Sequence, residues 1–242
     1  MMRVKITETT KVKLKNPLVI EGFPGIGMIG TIAASFLAEK LEMKLIGYFS
    51  SPEFPPISAI HDFKPVFPTR IYASEKYDLI VLFSEFVIPA RAVYPLAEEV
   101  LEWSKAKNAR VIYSLAGIAL QEPTNKLHAI ASTKLISDDL TKSGFELVKE
   151  GATQGVSGIL IAKCAALGFP AANLMAETNK PFDPYASSRL LKKIAELLKV
   201  SLDTTSLEKQ GKEIELKMKD SMQKMQSLHK DYQNLEKNPM YG

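Results

Sequence analysis

A single cysteine, Cys164, in 242 residues excludes an internal disulfide and fits a reducing compartment. It lies in an apolar helical run, where a thiol behaves as a small hydrophobe. The three histidines, His61, His128 and His229, are scattered without ligand spacing, so no metal is expected. Dense Lys/Arg clusters interleaved with aromatics are missing and the formal net charge is only +4, which gives no reason to expect a nucleic-acid partner. No apolar run approaches the length of a bilayer span: the candidate around 158–169 is short and broken by Lys163, so no membrane partner is expected. Residues 1–15 alternate charged and apolar side chains, unlike a secretory leader, and a cytoplasmic protein is the expectation.

What is present is an alternation of short apolar runs and amphipathic stretches. Strands are expected over 17–23, 44–50, 78–83, 110–115 and 171–176, and helices over 28–41, 90–107, 132–143 and 156–167. Gly144 is the expected stop of the third helix, and Asp183 or Pro184 opens a further one running to about 199. The continuous run Asp78-Leu-Ile-Val-Leu-Phe83 fits a strand covered on both faces. This pattern predicts an α/β fold: a three-layer α/β/α sandwich with a mostly parallel sheet over residues 1–200.

Two segments depart from it. Residues 51–68 carry five prolines and three phenylalanines, which excludes a central strand or helix interior and points to a loop that packs on something, a neighbouring subunit or its own domain. Residues 201–237 form a long C-terminal helix or stalk. Assigning 207, 214, 221, 228 and 235 to position a and 211, 218, 225 and 232 to position d collects its apolar residues, with Gly211 and Ser221 as exceptions. Acids placed four residues before bases, as in Glu208–Lys212 and Asp220–Lys224, support the helix by about 0.2–0.5 kcal/mol each. The seam predicts packing on a copy of itself or on the domain. Asn238 and Pro239 end the helix, leaving 238–242 as an extended tail.

Gly25-Ile26-Gly27-Met28-Ile29-Gly30 matches G-x-G-x-x-G after a strand and before a helix, the context of a dinucleotide fingerprint. The acidic residue such a site needs about 20 residues on is out of place, since Glu53 lies inside the proline-rich loop. The competing reading is a structural glycine turn at Gly25, Gly27 and Gly30. Glu85, Glu122 and Glu177 fall near strand ends, where α/β enzymes place catalytic groups, yet no nucleophile–base pair assembles from them. Neither a catalytic residue nor a cofactor is expected. A nucleotide- or nucleoside-binding enzyme using the glycine turn is the alternative.

The chain ends Met240-Tyr241-Gly242. A hydrophobic residue, a tyrosine and a carboxylate suit capture by a partner's pocket. At this composition such an ending arises by chance about 1.5% of the time, so context must decide. The stretch Glu21-Gly-Phe-Pro-Gly-Ile-Gly-Met-Ile-Gly30 is similar to the opening motif of the proteasome assembly chaperone family. Residues 155–198 resemble its second signature: a glycine-led helix, a Phe-Pro strand start, Ala176-Glu177-Thr178 and a Pro-Phe-Asp-Pro helix start. The resemblance implies an α/β/α sandwich of nucleoside-phosphorylase-like architecture in which the glycine motif is structural. Met240, Tyr241 and Gly242 resemble the hydrophobic-Tyr-any ending of proteasome activators, which implies docking between α subunits of the 20S proteasome, with the carboxylate meeting a pocket lysine and the tyrosine shifting the gate. An archaeal, ATP-independent activator acting as a homo-oligomer, a homotetramer in the match, is the form implied.

Overall fold

The computed structural model describes residues 4–209 and 211–237. Eleven strands and seven α-helices alternate along them. The first half runs β1 (Lys5–Glu8), β2 (Leu18–Gly22), a 3₁₀ turn (Ile26–Met28), α1 (Ile29–Lys40), β3 (Lys44–Ser50), β4 (Ala59–His61), β5 (Lys64–Val66), β6 (Thr69–Ser74), β7 (Leu79–Ser84) and α2 (Ala90–Ala106). The second half runs β8 (Val111–Ala119), β9 (Leu127–Ala131), α3 (Lys134–Lys142), β10 (Glu146–Leu147), α4 (Gly155–Leu167), β11 (Ala171–Thr178), α5 (Pro184–Leu198), α6 (Thr205–Lys209) and α7 (Gly211–Lys237).

Nine strands make one sheet in the order β1-β3-β6-β7-β2-β8-β11-β9-β10. Its four central strands, β7, β2, β8 and β11, are mutually parallel. β2, β7 and β11 are buried at every position, as strands covered on both faces must be. The flanks β1, β3, β6 and β9 join antiparallel, so the parallel character belongs to the centre of the sheet. Helices α1 and α5 cover one face, and α2 and α4 the other. Ile20, Leu115 and Leu174 point into the first core, and Val19, Ile112 and Ala171 into the second.

Helix ends follow the local chemistry. The Asp183 side chain accepts from the Ala186 N–H and Pro184 stands in the first turn, so Asp183 caps α5. Gly144, at φ +87, follows α3 as expected, and Gly168, at φ +64, closes α4. Four strands of the main sheet escaped the sequence reading: β1, β6, β9 and β10. Each carries half-buried or exposed positions, so none forms a continuous apolar run. The proline-rich loop holds a small hairpin of its own, β4–β5, outside the main sheet.

Candidate functional site

At the carboxyl end of β2 the chain turns into α1 through Gly25, Gly27 and Met28. Gly25 is extended at φ −154, and Gly27 and Met28 are left-handed at φ +66 and +52. A Cβ on Gly27 would lie 2.9 Å from the Thr178 methyl, and one on Gly30 only 2.1 Å from the Leu115 carbonyl oxygen. Gly22 completes the contact, since a Cβ there would sit 2.3 Å from the Gly30 carbonyl oxygen. Helix α1 therefore rests on β2 and β8 at backbone distance. Gly25 meets nothing within 4 Å. The inner part of the turn is packed: Gly27, Met28, Ile29 and Gly30 are buried, and the Asp183 N–H donates to the Gly27 carbonyl at 2.9 Å. Gly25 and Ile26 stay exposed at the mouth of the turn, and Gly27 lines the neighbouring cleft.

The strand-end acids are held in structural bonds. Glu177, at the end of β11, accepts at Oε2 from the Thr124 hydroxyl at 2.9 Å and from the Thr124 and Lys126 backbone N–H groups, and its Oε1 lies 2.8 Å from His128 Nε2. Burial pushes its pKa up, but the bonds from His128, Thr124 and Lys126 outweigh that and hold it at about 2. Glu85 pairs with Arg70 and lies 2.8 Å from His61 Nε2 on the hairpin. Glu122 is exposed. Glu85 and Glu177 share no bonding partner among the described residues, and only Glu177 stands beside both a hydroxyl and an imidazole, those of Thr124 and His128.

Sequence reasoning passed over Glu21, whose position in an otherwise apolar strand was the available signal. Its side chain is fully buried, and it accepts from the Phe23 N–H at 2.7 Å and the Ser157 hydroxyl at 2.9 Å. Burial drives its pKa up against the opposing bonds from Ser114, Phe23 and Ser157. Glu21, Ser114 and Asn173 are register partners across β2, β8 and β11, a buried polar row under the start of α4. Burial also raises the Cys164 thiol to about 12, which leaves it protonated and inert.

Beside the glycine turn lies an open cleft of about 480 Å³, lined by Ile26, Leu120, Thr178, Lys180 and Pro181 among others. Ile26 and Leu120 remain more than a third exposed there.

The C-terminal helices divide into two parts. Leu207 and Met222 are buried in the core shared with α1 and α5, Met225 joins the core on the α2/α4 face, and Gly211 abuts the Tyr185 ring. The inward face thus follows 211, 218, 222 and 225, the 3.6-residue stripe of a helix lying on its own domain, and it includes Met222, which the heptad assignment left out. Beyond Met225 every residue from 226 to 234 is exposed except the half-buried His229. Leu228 and Tyr232, members of the predicted seam, are 56% and 47% exposed. No helix among the described residues is long and apolar enough to cross a membrane. Met240, Tyr241 and Gly242 lie outside the described residues.

Comparison with known proteins places this architecture. A protein of Methanocaldococcus jannaschii, itself uncharacterized, is 32% identical over 98% of both chains. The crystal structure of Pyrococcus furiosus PbaA, described as an archaeal homolog of proteasome-assembly chaperone, matches with 29% identity and a TM-score of 0.83, covering 92% of this chain and 99% of that one. Pyrococcus furiosus PbaB, described as an archaeal proteasome activator, shares the fold at a TM-score of 0.77 and 21% identity, over 91% of this chain and 99% of that one. The profile of the PAC2 family matches residues 19–222, nearly the whole α/β body and the inner part of α7. The chain belongs to the PAC2 family.

Proposed function

We propose that this protein binds the 20S proteasome core particle through Met240, Tyr241 and Gly242 and opens its gate without ATP. The observation that carries the reading is the outer part of α7. From 226 to 234 every residue but the half-buried His229 is exposed, and the helix backbone over 226–237 spans about 18 Å at 1.5 Å per residue. An exposed last stretch of helix supports the proposal that it presents a pocket-binding ending to a partner. Family membership supports the same partner, since PbaA is described as a homolog of a proteasome-assembly chaperone and PbaB as a proteasome activator.

The energetics ask for more than one tail. Three residues offer a single aromatic anchor, one hydrophobic side chain and one carboxylate, which is a weak ligand alone. Several tails on one homo-oligomer, a homotetramer in our reading, raise the effective concentration of each and strengthen binding by roughly 10²–10⁴. Domain limits follow from this scheme: a body over 1–200, a stalk over 201–237 whose inner part is braced on the body, and a docking tail over 238–242. Assistance to core-particle assembly uses the same contact with the α subunits and differs only in when that contact is made. Against the nucleotide-enzyme alternative stands the packing role of the glycines, since a Cβ on Gly27 or Gly30 would clash with Thr178 or Leu115.

The test is a pull-down with purified core particle beside a peptidase assay. Full-length protein is expected to bind and to stimulate peptide hydrolysis, and Tyr241→Ala to lose most of both. Undiminished stimulation by Tyr241→Ala would defeat the proposal.

A further inference from the structure

The β4–β5 hairpin has two unlike faces. Ala59 is buried, Val66 packs on the core of the α2/α4 face, and His61 lies 2.8 Å from Glu85, so one face is anchored to the body. The opposite face carries the register pair Ile60 and Pro65, both exposed. The turn between the strands is Asp62-Phe63, with φ +48 and +63. A two-residue turn of this kind favours Asn-Gly or Asp-Gly, and an aromatic side chain in the left-handed region is strained. Phe63 is nonetheless fully exposed and Ile60 is 75% exposed. Among the described residues, none packs on Phe63 to account for a bulky apolar side chain at that position.

The strand directions say where this hairpin stands. β3 is antiparallel to β6, β6 is antiparallel to β7, and β7 is parallel to β2. β3 therefore runs with β2, and the loop that follows it rises from the same sheet edge as the Ile26–Leu120 cleft. That end of the sheet holds an exposed apolar knob and an apolar recess. Their charges are complementary as well. Asp62 and Lys64 flank Phe63, while Lys180 lines the cleft and the exposed Glu122 lies just beyond Leu120 and Gln121. Lys180 sits over the Tyr185 ring at 5.4 Å and has no carboxylate paired with it among the described residues.

We propose that the hairpin of one copy of this chain inserts Phe63 into the cleft formed by Ile26, Leu120 and Pro181 of a second copy. Asp62 then meets Lys180 and Lys64 meets Glu122. Phe63 and Ile60 together offer roughly 300 Å², short of the roughly 800 Å² per partner of a stable interface. The exposed Phe67 and Val87, on loops at the same edge, extend the apolar surface. A two-fold pair makes the contact twice, hairpin into cleft in both directions. The contact supplies one of the interfaces that the self-association proposed above requires, a tetramer needing a second, and it stands or falls without reference to the core particle.

The experiment uses the full chain with no core particle present. Light scattering with a concentration series is expected to show an oligomer for the wild type and at least about tenfold weaker association for Phe63→Asp, with an unchanged far-UV circular dichroism spectrum because Phe63 supports nothing in the fold. Asp62→Lys is expected to weaken association and Lys180→Asp, combined with it, to restore it. Separately tagged Phe63→Cys and Leu120→Cys chains, mixed and oxidised, are expected to form a disulfide-linked hetero-pair, and the buried Cys164 gives little background. A monomeric wild type at micromolar concentration would overturn the proposal. So would an unchanged mass for Phe63→Asp, or Phe63→Cys chains linking to each other as readily as to Leu120→Cys.

Discussion

Replacing Gly30 with alanine separates a packing role for the glycine motif from a ligand-cradling one. The new methyl would lie 2.1 Å from the Leu115 carbonyl oxygen, whereas real Cβ atoms essentially never come within 3.0 Å of a heavy atom. Helix α1 would have to move about 1 Å off β8, and 9 of its 12 residues are buried. Both contacting groups are backbone, so no side chain can rotate away. Overpacking of this kind costs about 3 kcal/mol, and alanine's better helix propensity returns up to about 1 kcal/mol. A net loss of about 2–3 kcal/mol corresponds to a fall in Tm of about 4–12 °C for a chain of this size. Gly25→Ala is the control. Its φ of −154 suits any residue and a Cβ there has open space, so its melting temperature should stay within about 2 °C of wild type. Thermal unfolding followed by circular dichroism reads both. A Gly30→Ala protein melting with the wild type, or a Gly25→Ala protein damaged as much as Gly30→Ala, would refute the reasoning.

Three other outcomes follow from the buried groups. Glu177→Ala leaves the Thr124 and Lys126 N–H groups without their acceptor and should cost about 3 kcal/mol at neutral pH in denaturant titrations. Because the native carboxylate is held at about 2, below its ordinary value, its contribution is present above about pH 4.5 and is lost as pH falls toward 2, so the two stability curves should converge in acid. Glu21→Gln works in the opposite sense: burial raises the native pKa, so the ionised form is disfavoured in the fold, and the amide should stabilise at neutral pH by an amount that shrinks as pH falls through the raised pKa. Met222→Asp and Met225→Asp should release α7 from the body, seen as trypsin cleavage at its lysines at least about tenfold faster with little change in the main melting transition; unchanged cleavage would show that these methionines do not hold the helix.

Much of the architecture was legible because buried parallel strands write themselves as unbroken apolar runs. Leu79–Ser84 and Ala171–Thr178 are buried at every position, and both were readable from sequence for that reason. β6 and β9 were not, since Tyr72, Leu127 and His128 are only half-buried and interrupt the pattern. The hairpin β4–β5 was hidden by Pro65, which stands opposite Ile60 in a ladder too short for a strand signal. The glycine turn was legible as a motif but ambiguous in purpose. What resolves its packing is the Leu115 carbonyl, 85 residues away in sequence and invisible to local pattern reading. The stalk divided for a similar reason: the heptad and the 3.6-residue stripe share Met218 and Met225, and only contact with the body reveals that Met222 is on the inner face and Leu228 on the outer.

The central claim is that a terminal tyrosine and carboxylate, carried outward on α7, engage the core particle. Its most direct test is the peptidase activity of purified 20S core particle with full-length protein and with a chain lacking residues 240–242, both matched for oligomeric mass by light scattering. The account predicts stimulation by the full chain and none by the truncated one at the same mass. Equal stimulation by the two proteins would contradict it.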